Sequence, residues 1–133
     1  KIAVLGKGKI QRIGTPSEIW SNPESVYVAR CLGHKNLIDL DSQGNCPLGN
    51  FSQRAGTVLV RKERITLKKS VDGTAVVTKT LIKGGVVSHQ VQLEDIVLEV
   101  FNTTENTEIQ TGSKVSVNLQ ENAVTVLAEN FLI

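Results

Sequence analysis

Hydrophobic and polar positions alternate along much of this chain with the period of two that is typical of β-strands. Val86–Leu93 and Lys114–Leu119 show this alternation most clearly. A glycine pair at 84–85 separates Val86–Leu93 from the β-branched run Ala75–Lys83, and this arrangement predicts a hairpin. Val124–Leu127 follows Lys114–Leu119 after a short polar segment, and we predict that these two segments pair as another hairpin.

The start of the chain predicts a hairpin and two short helices. Gly6-Lys7-Gly8 separates two apolar segments, and its glycines suit a tight turn. Residues 15–18 contain a capping box, with a threonine, a proline and a glutamate at the spacing that begins a helix. We expect Asn22-Pro23 to end this helix and to cap the next one, which runs to Gly33. Helices this short resemble a connector more than a core.

The residues after Gly33 favour β-structure. Residues 41–56 are rich in turn formers and leave room for one short strand near 46–51. The β-branched run at 57–61 and the apolar run at 96–101 are further strand candidates. Short strands separated by regular turn signals predict a small antiparallel barrel or sandwich, preceded by a hairpin and two short helices.

Length and composition exclude several classes of protein. The chain has 133 residues, of which 40% are hydrophobic and 21% charged, which fits one domain, or one domain with an appendage. No apolar run approaches the ~20 residues of a membrane-spanning helix. Cys31 and Cys46 are too few for a disulfide framework and lack the spacing of a metal site. The chain has no methionine and begins inside an apolar run, so we expect it to be a piece of a longer protein.

Charge is divided unevenly along the chain. Residues 1–69 hold 12 basic and 5 acidic groups, whereas residues 70–133 hold 3 basic and 8 acidic groups. This asymmetry fits a basic patch, attraction between the two halves or a second copy, or an ordinary mixed surface after folding. Aromatic residues make up only 4% of the chain and are scattered, which disfavours binding to single-stranded nucleic acid by base stacking.

No constellation of residues predicts catalysis by this chain. Gly6-Lys7-Gly8-Lys9 is basic and glycine-rich but lacks the spacing of a phosphate-binding loop. We expect His34 to be a solvated linker residue, and His89, on the apolar face of its strand, to be a core or interface histidine. Glu94-Asp95 is expected to form a turn, since neighbouring residues on a strand point to opposite faces.

The first 33 residues carry a denser and more specific pattern than the rest of the chain. The residues of this pattern are Lys1-Ile2-Ala3-Val4-Leu5, Gly8-Lys9-Ile10-Gln11, Ile13-Gly14-Thr15-Pro16, Glu18-Ile19-Trp20, Pro23, Val28-Ala29 and Leu32-Gly33. The pattern resembles the tail of the nucleotide-binding domain in ATP-binding subunits of ABC importers, in the branch that serves maltose, ferric iron, spermidine and sulfate. Trp20 stands where the family usually has tyrosine.

The remainder is similar to the transport-associated OB-type domain of that family, known as TOBE. Arg61 and Glu63 match the family's Arg-Pro-Glu motif, with Lys62 in place of the proline, and Gly112 matches the closing pattern. The resemblance implies two domains, with residues 1–33 as the tail of the nucleotide-binding domain and residues 34–133 as the TOBE domain. For Arg61 and Glu63, a local salt bridge or turn lock is the alternative to a regulatory contact.

The resemblance implies a non-catalytic regulatory and dimerisation domain. Its partners would be a second copy of the subunit, the transmembrane permease subunits and a possible small-molecule regulator, at the cytoplasmic face of the membrane. ATP and Mg²⁺ would bind in the parent subunit, with no cofactor or metal in this fragment. Ferric iron is our first expectation for the cargo, ahead of spermidine, sulfate and sugars.

Two readings from other classes stay open at this point. The chain is alternatively a small OB-type module that senses an oxyanion or a metal, with backbone amides and basic side chains as donors. A nucleic-acid-binding OB fold is the third reading, and the few aromatics and the acidic second half argue against it.

Overall fold

The fold is known from a computed structural model that describes residues 1–103 and 109–127. The chain divides into two units. We call Lys1–Leu59, together with the segment that begins at Thr125, the mixed unit, and Val60–Val124 the sheet unit. These units follow spatial contacts, whereas the predicted domains 1–33 and 34–133 follow the family resemblance and stay a prediction.

The mixed unit begins with the predicted hairpin. Strand β1 (Ile2–Gly6) pairs antiparallel with β2 (Lys9–Gly14). Lys7 and Gly8 join them, both with positive φ, as the tightest hairpin turns require. The Tyr27 hydroxyl donates to the Leu5 carbonyl over 3.0 Å, and this bond ties the hairpin to the second helix.

Helix α1 (Pro16–Ser21) begins at the predicted capping box. The Thr15 hydroxyl oxygen accepts from the Glu18 N–H over 3.2 Å and donates to the Glu18 carboxylate over 3.0 Å. The helix ends at Asn22, but Asn22 does not cap the next helix, so that prediction was wrong. Helix α2 (Val26–Cys31) is capped by Ser25 instead, whose hydroxyl oxygen accepts from the Val28 N–H.

The helices bury side chains and are more than a connector, contrary to expectation. Ile19 of α1 is fully buried, and α2 packs its apolar side into a cluster with two strands of the mixed unit. Gly33, with a φ of 86°, ends α2 as predicted. The buried members of the cluster are Val26, Ala29, Leu59 and Leu127.

The strands of the mixed unit form two further small sheets. Strands β3 (Leu37–Leu40), β6 (Gly56–Val60) and β12 (Val124–Leu127) form a sheet in the order β12-β6-β3. Between β3 and β6, β4 (Asn45–Cys46) pairs with β5 (Gly49–Asn50) in the predicted turn-rich stretch.

The sheet unit holds five antiparallel strands in the order β10-β9-β8-β11-β7. The hairpin of β8 and β9 around residues 84–85 is confirmed residue for residue. A 3-10 turn over Lys62–Arg64 precedes the first strand and contacts β10. The strands are β7 (Ile65–Lys69), β8 (Ala75–Lys83), β9 (Val86–Leu93), β10 (Ile96–Thr103) and β11 (Lys114–Leu119).

The predicted hairpin of Lys114–Leu119 with Val124–Leu127 was wrong. Strand β11 pairs with β7 and β8, whereas β12 pairs with β6. Backbone bonds redirect the chain between them: the Gln120 N–H donates to the Arg64 carbonyl, and the Arg61 N–H donates to the Ala123 carbonyl. The wider prediction is confirmed, since the chain is mainly β, with a hairpin and two short helices ahead of antiparallel sheets.

Alternation decides which sheet residues are buried. In β9 the side chains of Val87, His89, Val91 and Leu93 face inward, as predicted, and all four are buried. The partner strands supply the rest of this core, which is aliphatic apart from His89. Its other fully buried members include Ala75, Val77, Leu98, Val100 and Val115.

Candidate functional site

Arg61 fixes the start of the 3-10 turn in the sheet unit. Its N–H donates to the Ala123 carbonyl over 2.8 Å, and its guanidinium Nη1 donates to the Asn122 carbonyl over 3.1 Å. Its own carbonyl accepts from the Arg64 N–H over 3.0 Å. These bonds join two segments far apart in sequence, which is how a turn lock would act.

Glu63 lies in the same turn as Arg61, with its side chain exposed to solvent. Lys62, which lies between Arg61 and Glu63 in the sequence, contacts a neighbouring strand through its side chain. Lys62 Nζ lies 3.6 Å from Glu99 Oε1 and 4.3 Å from the centroid of the Phe101 ring. Sequence reasoning treated Lys62 only as a departure from the family motif, and nothing in the sequence indicates that it meets β10.

Gly112 lies in a turn beside β8, with a φ of 92° that suits glycine. Its N–H donates to the Val77 carbonyl over 2.7 Å. The turn forms one wall of an open groove that is lined by two lysines and several hydroxyl-bearing residues, residue types that suit a small anion. The groove is lined by Lys69, Ser70, Val71, Gln110, Thr111, Gly112, Ser113 and Lys114.

His89 is a core histidine, as expected. It is fully buried, and its Nδ1 lies 3.0 Å from the Thr80 hydroxyl. Its Nε2 has no hydrogen-bond partner among the described residues. Burial in this aliphatic core lowers the pKa of His89 below its usual value, because a charged imidazolium would lose its hydration.

His34 is not the solvated linker residue that the sequence predicts. Its Nε2 lies 3.1 Å from the Trp20 carbonyl, and the two rings lie 4.0 Å apart between centroids at 33°. His34 therefore connects the end of α2 to α1, and Trp20 keeps 41% of its surface exposed. The sequence did not indicate that Trp20 and His34 are in contact, since the two residues are 14 positions apart.

The remaining candidates stay apart. Glu94-Asp95 forms the turn between β9 and β10, as predicted. Cys31 and Cys46 are free thiols. Over residues 1–103 and 109–127, no three His, Cys, Asp or Glu side chains lie together as a metal site would require. In the same residues no helix has the length and apolar character to cross a membrane.

No protein-family model matches the chain. Individual proteins do. The chain is 26% identical to the spermidine/putrescine import ATP-binding protein PotA of Mesoplasma florum, over 96% of this chain and 40% of that protein. It is 30% identical to PotA of Clostridioides difficile, over 83% of this chain and 35% of that protein. It is 29% identical to the Fe(3+) ions import ATP-binding protein FbpC of Haemophilus influenzae, over 77% of this chain and 34% of that protein.

The chain thus spans between 34% and 40% of the length of these relatives. Each relative is named as the ATP-binding protein of an importer, and the matches cover most of this chain. They confirm the resemblance that the first 33 residues indicate: the chain is homologous to part of the ATP-binding subunits of ABC importers.

Proposed function

We propose that this chain is the non-catalytic C-terminal regulatory and dimerisation domain of an ABC importer's ATP-binding subunit. The observation that carries the proposal is the match of 96% of this chain to 40% of an importer ATP-binding protein. The remaining length of such a subunit is ample for a separate ATPase domain. A mainly β module without clustered catalytic groups in its described part suits a role in protein contacts.

The relatives differ in cargo although they match the same chain. Two carry spermidine/putrescine in their names, and one carries Fe(3+) ions, our first expectation. A domain that reads the cargo would have to differ among them, so we propose a role that is the same whatever the importer carries. Holding two ATPase subunits together during their cycle is such a role.

In this proposal ATP and Mg²⁺ bind outside this chain, in the ATPase part of the subunit. The subunit then acts with transmembrane permease partners at the cytoplasmic face of the membrane. Arg61 and Glu63 lie at a turn that joins distant segments of the sheet unit. A small-molecule regulator that moves this turn would change how two copies meet, which is a coupling between distinct sites.

Deletion in the parent subunit tests the proposal. We expect removal of residues 34–133 to weaken dimerisation of the ATP-binding subunit in light scattering while the ATPase site still binds nucleotide. Arg61→Lys in the full-length subunit is compared with the deletion, because it keeps the positive charge at position 61 but loses the planar guanidinium group. Unchanged dimerisation after the deletion would overturn the dimerisation role.

The groove beside Gly112 favours a second candidate, a module that senses a small oxyanion. Lys69 and Lys114 bring positive charge to this groove, and Ser70, Thr111 and Ser113 line it with hydroxyl-bearing side chains. Isothermal titration with sulfate, phosphate and molybdate, with ferric citrate and a polyamine as comparisons, tests this candidate. Heat of binding from an oxyanion that disappears in the double variant Lys69→Ala/Lys114→Ala would support the sensing function. If no titrant gives heat, dimerisation would be the only proposed function that stands.

A further inference from the structure

The outer face of β8, β9 and β10, opposite the core of the sheet unit, is exposed along β8 and partly buried along β9 and β10, and its charges lie in separate columns. Lys79 of β8 and Glu99 of β10 both lie opposite Gln90 of β9 in the strand register. The three side chains therefore form one row across the face, positive on one side, neutral in the middle and negative on the other. A bulge between Val77 and Lys79 keeps Lys79 on this outer face.

The rows on either side of this charged row are apolar at both ends and polar in the middle. Each row again joins one residue from each of the three strands through the antiparallel register. Leu81 is 55% exposed and Val97 is 45% exposed, so each of the two rows presents an aliphatic side chain to solvent. The two rows are Val76, Gln92, Val97 and Leu81, Ser88, Phe101.

We propose that a second copy of this chain packs on this outer face, with the two-fold axis running along β9. This inference rests on the proposed dimerisation role and names its surface. A rotation of 180° about β9 places β8 of one copy over β10 of the other. Lys79 then faces Glu99 of the second copy, and the reverse pair forms by symmetry. Leu81 meets Phe101, and Val76 meets Val97.

Electrostatics selects this axis over the perpendicular one. A two-fold axis across the strands would place Lys79 over Lys79 and Glu99 over Glu99 of the second copy, and like charges in contact are destabilising. With the axis along β9, the residues that meet their own copies are Ser88, Gln90 and Gln92. All three are uncharged, so the centre of the interface has no like-charge contact.

Lys62 is compatible with this arrangement. It already lies beside Glu99 and over the Phe101 ring, so Glu99 would be flanked by Lys62 of its own copy and Lys79 of the other. A carboxylate between two ammonium groups is held in one position, which favours a fixed register between the copies.

The size of the face predicts weak association of the chain alone. Three strands span about 14 Å and the eight residues of β9 about 27 Å. The two faces together thus cover roughly 800 Å², below the ~1,000 Å² that a stable interface normally exceeds. The contact would support dimers at high concentration, or dimers whose ATPase parts also meet. A covalent probe is therefore the sharpest test.

Disulfide trapping tests the face. In the 133-residue chain with Cys31→Ser and Cys46→Ser, Gln90→Cys places one thiol of each copy face to face. We expect mild oxidation to give a disulfide-linked dimer on a non-reducing gel. The matched control is Val71→Cys in the same background, at a side chain that is 88% exposed in the same unit and off this face. Equal trapping of both variants would overturn the proposal.

Charge reversal tests the orientation. Lys79→Glu should slow trapping of the Gln90→Cys chain at least about tenfold, because it places two carboxylates opposite each other twice. Adding Glu99→Lys should restore trapping, whereas Asp72→Lys, a charge reversal in the exposed turn between β7 and β8, should leave it unchanged. An unaffected rate in Lys79→Glu, with circular dichroism showing folded protein, would contradict the proposal.

The outcomes separate this inference from the role beneath it. If the wild-type chain self-associates but Gln90→Cys is trapped no faster than Val71→Cys, dimerisation stands and this face is wrong. If the parent subunit also keeps its dimer after deletion of residues 34–133, the dimerisation role fails together with the face.

Discussion

The two units of the molecule differ in the sequence separation of the contacts that stabilise each of them internally. In the mixed unit, short-range bonds define the helices, such as those from Thr15 to Glu18 and from Ser25 to Val28. In the sheet unit, the defining bonds join distant segments, such as Arg61 with Asn122, which are 61 positions apart. The two helices of the mixed unit therefore depend on individual caps, and the sheet unit depends on the close fit of many strands.

The largest expected effect comes from adding one methyl group where two backbones meet in the sheet unit. A Cβ at Gly73 would lie 2.5 Å from the Val115 carbonyl oxygen, and the backbone cannot move without shifting β11. We expect Gly73→Ala to lower the free energy of unfolding by about 3 kcal/mol in urea titrations.

The matched substitution in the mixed unit sharpens that prediction. A Cβ at Gly6 would meet the end of the Tyr27 ring at 2.8 Å, and a side chain can rotate away. Gly6→Ala should cost about 1 kcal/mol, mainly the bond from Tyr27 to Leu5. Gly56→Ala, with open space around its Cβ, serves as a control near zero. Equal losses at Gly73 and Gly6 would remove the contrast between the units.

Acid should weaken the sheet unit through His89. Its lowered pKa means that the folded chain binds a proton less readily than the unfolded chain. Above pH ~6.5 both states hold neutral imidazole, so His89 adds no pH dependence to the stability there. As the pH falls below that value, the unfolded state takes up the proton, and the free energy of unfolding should fall by up to about 1.4 kcal/mol per pH unit.

The variant His89→Leu isolates this effect. Both proteins share the same carboxylates, so the difference between their stabilities at about pH 7.5 and about pH 5.5, on either side of the usual histidine pKa of ~6.5, reports His89 alone. We expect thermal melts of His89→Leu to depend less on pH. Parallel curves for the two proteins would show that His89 does not titrate differently on folding.

A cap mutation should act locally in the mixed unit. Thr15→Ala removes both bonds to Glu18 and should cost about 1 kcal/mol. Thr15→Ser keeps the hydroxyl and should retain most of the stability. Chemical denaturation of the three proteins measures this, and an unchanged midpoint in Thr15→Ala would show that the cap bond is not needed.

The smallest effect is expected at Lys62. Its side chain is partly exposed beside Glu99, so solvent screens much of the attraction, and Lys62→Ala should cost about 0.5–1 kcal/mol. Added salt should reduce the difference from wild type. Lys68→Ala, an exposed lysine on β7, is the control, and an equal loss there would mean that the contact with β10 adds nothing.

The accuracy of the sequence-based predictions follows the same division by contact range. The hairpins of β1 with β2 and of β8 with β9 were predictable because their turns, at Gly6-Lys7-Gly8 and at residues 84–85, are adjacent to both strands. The partner of β12 was not, since its pairing with β6 is decided by bonds between distant segments. Alternation indicates which face is buried but not which strand lies next to it.

The same reason limits prediction of the candidate site. Arg61, Glu63 and Gly112 were predicted from family motifs, and in the structure each stands at a turn. Lys62 and its contact with Glu99 were not found, since they are brought together only by the fold. Prediction of the outer face of β8, β9 and β10 would have required the strand register, and the sequence indicates that register only for the β8–β9 hairpin.

Sedimentation equilibrium of the wild-type chain tests the central claim most directly. We propose that this part of an importer ATP-binding subunit binds a second copy of itself, so the mass should rise from that of one chain, 14.4 kDa, toward twice that value between micromolar and near-millimolar concentration. Added ATP should leave the curve unchanged. A mass that stays at one chain throughout, or ATP binding by this chain, would contradict the account.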